Sequence, residues 1–214
     1  MKRPTYFVLL MLSAMPLRGQ IDEASRALTI YTRFAHPPSA QSIAYMQAEL
    51  AAIMLPFHLH LDWHSLENGS GRQATAKVVV VTFKGACQSD AALPEGPSSG
   101  TLGWTYIEDG EILPFAGVDC DRIRGVVTGA LAISAPVERQ GILGRAMARV
   151  LAHELYHFLA HTAEHASIGI AKASYTGAEL SSHRFRFDEA QLRALRESRP
   201  HRTPVETPGA VAVD

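Results

Sequence analysis

The stretch AHELYHFLAHTAEHASIGIAKASY, residues 152–175, places a histidine at every fourth position: His153, His157, His161 and His165. The first two frame HELYH, an H-E-x-x-H pattern. Positions i and i+4 share one face of a helix, so His153 and His157 can present their imidazoles to one ion. Glu154 lies one position off that face, where it can reach a water beside the metal without displacing it. This is the general-base position of a metallopeptidase. Met147, Leu151, Leu155 and Phe158 gather on another face, so the helix can be buried on one side and carry metal on another. With ten histidines in 214 residues, chance yields the pattern about 0.03 times. The plain alternative is the solvated face of a His-rich helix.

Imidazole donors suit Zn²⁺, and a catalytic zinc has three protein ligands and one open position. Three residues compete for the third place. His161 would make one helix wrap three histidines over two turns, with Cα atoms about 12 Å apart at the ends. His165 serves if the helix ends near His161 and the chain turns back. Glu179, in GAELSSH, would supply a carboxylate from a later helix.

The rest of the chain predicts an α+β fold with a mixed twisted sheet, a backing helix, an active-site helix and a small C-terminal part after His165. ALTIYTRF (27–34) is a strand. Ser39 can cap a helix carrying Ile43, Met46, Leu50, Ile53 and Met54 at helical spacing. FHLHLDWHSL (57–66) alternates as a half-buried strand. Its His58, His60 and His64 read as a solvated strand face rather than a second metal site. KVVVVTF (77–83) has the continuous apolar run of a central strand buried on both faces. QSDAALPEGPSSG (88–100) is a loop. TLGWTYI and EILPFAGV flank the turn EDG as a hairpin, and Pro114 places the second arm at an edge or a bulge. The strand around 102–107 is a candidate edge for pairing with an extended peptide. Helices are expected over 119–133 and from about Glu138 to Ala160.

Lys2 and Arg3 precede the apolar run YFVLLMLSAM, so residues 1–20 read as a secretory signal. The run is too short for a comfortable transmembrane helix. The expectation is export, to the periplasm or beyond, with no stable membrane association after cleavage. Residues 21–199 would form one domain and 200–214 a disordered tail. In an oxidising compartment the two cysteines, Cys87 and Cys120, are expected to form a disulfide. Twenty basic against 21 acidic residues, a net charge of −1, give no electrostatic footprint for nucleic acid.

The histidine segment resembles a family of exported bacterial zinc metallopeptidases of metzincin type. Their pattern is close to H-E-x-G-H-x-x-x-G-x-x-x-H-S-x-x-G-I-M, followed by an aromatic residue and an acidic-Leu pair. His153, Glu154 and His157 match it. His165 falls on the third histidine, Gly169 and Ile170 on the turn, Tyr175 on the aromatic place, and Glu179 with Leu180 on the acidic-Leu place. The segments GEILPFAGVDCDRIR and LPEGPSSGTLGWTYIEDG also look like this family's. The likeness covers most of the chain beyond the signal, most specifically residues 101–124 and 150–180. It implies a metzincin-like fold and an exported metallopeptidase cleaving a peptide or protein substrate, with Zn²⁺ on His153, His157 and His165 and Glu154 as base. Four positions depart: His161 and Tyr156 stand for glycine, Ala166 for serine, and Ala171 for the methionine packed below the metal. The departures at His161 and Ala171 favour an alternative, a catalytically silent zinc-binding extracellular protein on the same fold.

Overall fold

A computed structural model of the protein describes residues 27–67, 77–92 and 100–197. The expected signal (1–20) and tail (200–214) lie outside the described residues, as does part of the 88–100 loop. Five strands form one mixed sheet: β1 (Ala27–His36), β2 (His60–Ser65), β3 (Lys77–Ala86), β4 (Gly103–Glu108) and β5 (Glu111–Asp119). Their order is β2-β1-β3-β5-β4. The first four in that order run parallel, and β4 is antiparallel to β5. The expected α+β class with a mixed sheet is therefore present.

The helices are α1 (Ala40–Met54), α2 (Cys120–Ile133), α3 (Pro136–Ala160), α4 (Gly177–Ser181) and α5 (Glu189–Glu197). Ser39 caps α1 by accepting the Ser42 N–H at 3.1 Å. The histidine helix α3 begins two residues earlier than the sequence suggests. Pro136 occupies its first turn, where a missing N–H costs nothing and the fixed φ favours entry.

β3 departs from its expectation in one respect. Val79, Val81 and Phe83 are buried at 0–1% exposure, whereas Val78, Val80 and Thr82 on the other face are half-buried. The apolar run marked a central strand correctly, but only one face meets the main core with Leu28, Ile30 and the helices. Phe57 is not in β2: it closes a 3-10 turn, Leu55–Phe57, and His58 leaves that turn with φ 51°. The strand therefore starts at His60, which along with Asp62 and His64 shares its non-core face.

The hairpin turns on Asp109 and Gly110, both at positive φ. Pro114 lies just before β5 begins to pair with β3 at Phe115. It faces the register shift between Thr105 and Ile107 of β4. The missing N–H thus falls at a bulge, and β5 is internal rather than an edge. The exposed edge on that side is β4.

Cys87 and Cys120 are disulfide-bonded, with Cα atoms 5.0 Å apart. The bond ties the segment just after β3 to the first residue of α2, at the ends of two neighbouring parallel strands. In the loop-entropy account a closure of 33 residues stabilises by about 3–4 kcal/mol. The buried Arg149 holds α3 to two neighbours. Its guanidinium pairs with Glu49 of α1 at 2.8 Å and donates to the carbonyls of Glu179 and Leu180 in α4 at 2.6 and 3.0 Å.

Candidate metal centre

His153 and His157 project from the last turns of α3 and are 7% and 6% exposed. The helix stops because His161 adopts the left-handed conformation, φ 48° and ψ 48°, with its N–H bonded to the His157 carbonyl. The chain then folds back under the helix, and a bridge between Ala166 and Lys172 closes the returning loop. That reversal brings His165 to the pair. One donor atom from each of His153, His157 and His165 lies within 4.8 Å of the others, and together they could hold a metal ion.

The returning segment also supports the helix histidines from behind. The Thr162 carbonyl accepts from His157 Nδ1 at 2.6 Å, and the Ile170 carbonyl accepts from His153 Nδ1 at 2.8 Å. A carbonyl can only accept, so each Nδ1 carries the hydrogen. In the neutral rings each Nε2 is then a bare lone pair. These two Nε2 atoms face each other at 3.0 Å. Two lone pairs at that distance repel unless a cation lies between them. Tetrahedral donors at about 2.0–2.1 Å from an ion are about 3.3 Å apart. The donor set therefore fits a metal ion better than it fits an empty pair of rings.

Electrostatics agree. Burial is the largest influence on His153 and lowers its pKa to about 4; the Ile170 carbonyl opposes it, and the imidazoles of His157 and His165 add to it. Burial likewise lowers His157. Both rings are held neutral at pH 7, the form that binds metal.

Glu154 lies beside the cluster, 4% exposed. Burial pushes its carboxyl up to about 7, against the opposing pull of the Thr105 hydroxyl. That hydroxyl donates to Oε2 at 2.7 Å. Thr105 belongs to the core-facing set of β4, as does Gly103. A Cβ on Gly103 would stand 2.6 Å from Glu154 Oε1 and 2.8 Å from Val150 Cγ1. Glycine there lets the edge strand close on the helix. A cavity of about 570 Å³ opens between β4 and the cluster, walled by Leu102, Val126 and Val150 and floored by the histidines.

The other candidates fall elsewhere. His161 is the exposed helix exit and outside the cluster. Glu179 caps α4 in a reciprocal pair with Thr176 and binds Lys172 Nζ at 2.5 Å, so its oxygens already have partners. Tyr175, at the aromatic place, lines the cavity, but its hydroxyl donates backwards to the Ile170 carbonyl and lies 2.9 Å from His153 Nδ1. Ala171 is fully buried below the site. Sequence reasoning missed Thr105, Gly103 and the two carbonyls. Strand alternation puts Gly103, Thr105 and Ile107 on one face, but nothing in it says which helix residue that face meets.

Fold and site together define an α+β protein in which one helix and the turn after it gather three histidines able to hold a metal. No known family model matches the chain, and no curated protein matches it.

Proposed function

We propose that the protein is an exported zinc-dependent metallopeptidase of metzincin-like fold. The observation that carries this reading is the placement of the buried Glu154 carboxylate beside the three-histidine cluster, at the wall of an open cavity. His153, His157 and His165 would hold the ion. Zinc held there would supply Lewis acidity, lowering the pKa of water and polarising a carbonyl.

The chain's own groups do the remainder. Glu154 takes a proton from the attacking water and returns it to the leaving amide nitrogen as the C–N bond breaks. A carboxyl raised towards neutrality by burial is matched to that exchange, and a nearby cation would act in the opposite sense. Thr105 fixes the rotation of the carboxylate by donating to Oε2. Exposed β4 offers an edge on which an extended peptide can add as a strand and be held over the cavity. The disulfide, and the absence among the described residues of any helix long and apolar enough to cross a membrane, are compatible with export.

The test is metal analysis joined to a peptide-library cleavage assay, with and without chelator. Glu154→Gln is expected to retain stoichiometric zinc and to lose about 10²–10⁴-fold in kcat, since it removes the proton acceptor. Chelator-insensitive cleavage, or cleavage unchanged in the variant, would refute the mechanism. Stoichiometric zinc with no cleavage of any peptide would establish the silent zinc-binding protein instead.

A further inference from the structure

We propose that Gln191 is a positioning residue for the metal centre: its buried amide shapes the turn whose Ile170 carbonyl orients His153. The inference rests on the metal-binding part of the reading above and not on peptidase activity.

Gln191 lies on α5, far from the histidines in sequence, and is 2% exposed. All four hydrogen-bonding positions of its amide are filled. Oε1 accepts from the Ala171 N–H at 3.3 Å and the Asp188 N–H at 3.2 Å. Nε2 donates to the Ile168 carbonyl at 2.5 Å and to Asp188 Oδ2 at 3.0 Å. Oxygen meets two donors and nitrogen two acceptors, so the amide has one orientation.

Two of those four bonds go to Ile168 and Ala171, which flank Ile170. Between them Gly169 takes φ +70°, and a Cβ there would come within 2.7 Å of Gln191 Oε1. The turn is therefore wrapped around the amide. Ile170 is itself fully buried, so its carbonyl direction is set by the turn. That carbonyl receives His153 Nδ1–H at 2.8 Å and the Tyr175 hydroxyl. Holding Nδ1–H there fixes the ring's rotation and keeps Nε2 bare on the side of the cluster.

A plainer role exists for part of this. Asp188 accepts the Gln191 N–H at 2.8 Å, and Gln191 Oε1 returns the bond to Asp188 N–H, which is a capping box for α5. A capping box uses only the acceptor oxygen. It has no need of the bonds to Ile168 and Ala171. Glutamate serves as well as glutamine at that place in a box, but it cannot donate to the Ile168 carbonyl. The two roles are thereby separable.

The experiment compares wild type, Gln191→Glu, Gln191→Met and, as a stability control, Leu50→Ala, a core residue that does not line the cavity. Zinc affinity is measured by competition with a chromophoric chelator, and the Co²⁺-loaded forms are compared by visible ligand-field absorption. The expected result is about tenfold weaker zinc binding for both Gln191 variants, the lower end for losing an outer-shell partner, with an altered Co²⁺ spectrum. Leu50→Ala, despite a lower Tm, should keep the wild-type affinity and spectrum. Gln191→Glu keeps the cap oxygen but sets a buried carboxylate against Asp188 Oδ2 and the Ile168 carbonyl, whereas Gln191→Met loses the cap without adding charge. A loss of zinc shared by both therefore supports the role, and a loss in one alone counts against it. Wild-type affinity and spectrum in both Gln191 variants would overturn the role, and so would changes no larger than those of Leu50→Ala. A wild-type chain that binds neither ion removes the metal centre and this role with it.

Discussion

His153 and His157 stand on a helix that the sheet, α1 and α4 all grip, and both are buried; His165 lies exposed in the segment between α3 and α4. The first pair is placed by 3.6-residue periodicity and by core packing. The third is placed by a chain reversal that depends on a left-handed residue, one bridge and a handful of hydrogen bonds. Support runs across this divide. The loop that carries the exposed histidine also supplies the Thr162 and Ile170 carbonyls that orient the buried ones. The helix half is therefore rigid in position but borrows its ring orientation from the loop half.

The largest effect expected is loss of metal from either half, and the halves should differ in what else is lost. Structural zinc binding of about 10–16 kcal/mol spread over four ligands gives about 3 kcal/mol per ligand, or on the order of a hundredfold in affinity. His165→Ala and His153→Ala should each weaken zinc by at least that factor. In metal-free protein only His153→Ala should lower Tm, because it leaves a cavity and removes one of the two buried hydrogen bonds that the Ile170 carbonyl accepts. Zinc competition titration and thermal melts of the stripped proteins check both. If His165→Ala retains zinc, the third donor is not His165 and the loop half is not a ligand-bearing half at all.

The same divide explains what could be read in advance. The helix pair, the neighbouring Glu154 and the apolar stripe of α3 follow from local periodicity, which a sequence displays directly. The exit at His161 was readable only as a place where a helix must stop for His165 to return. That it stops there was what the resemblance implied, His161 falling where the pattern has a glycine, and histidine tolerates positive φ better than most residues. Thr105 and Gln191 had no such signal. Each acts through a contact between elements distant in sequence, and the register of β4 against α3 is fixed by the packing of the whole sheet. The two-faced burial expected of β3 failed for a related reason: a run of valines says that a strand is central, but not how many faces the helices will cover.

A change at the sheet support of the helix half should have an intermediate effect. Gly103→Ala places a methyl 2.6 Å from Glu154 Oε1 and 2.8 Å from Val150 Cγ1. Either β4 moves outward or the carboxylate rotates off Thr105. Overpacking of this kind costs about 1–3 kcal/mol. Under the proposed mechanism, in which Glu154 is the proton acceptor, misplacing it should lower kcat by about tenfold or more, since catalysis by positioned groups is steep in distance. Zinc affinity should stay within about twofold, because neither the imidazoles nor their carbonyls are touched. Parallel measurement of kcat, Tm and zinc affinity decides it. An unchanged kcat would mean that β4 does not set the position of Glu154.

The smallest effect should come from the residue that joins the two halves. His161 holds φ 48° and ψ 48° at the end of α3, a conformation in which a side chain with a Cβ is strained and glycine is not. Its imidazole is exposed and outside the donor cluster. Its ring has one aromatic neighbour, Phe158, with centroids 6.4 Å apart, so little packing is lost on truncation. His161→Gly relieves the strain but frees the unfolded chain, and the two partly cancel. Strain of about 1–2 kcal/mol less an unfolded-chain cost of about 0.4–1 kcal/mol leaves a net gain of about 0.5–1 kcal/mol, seen as a slightly higher Tm with zinc affinity unchanged. His161→Ala keeps the strain and removes the ring, so it too should keep its zinc, with no gain in stability. Loss of zinc in both variants would make His161 a ligand, and the helix would then have to continue through the position at which it now turns.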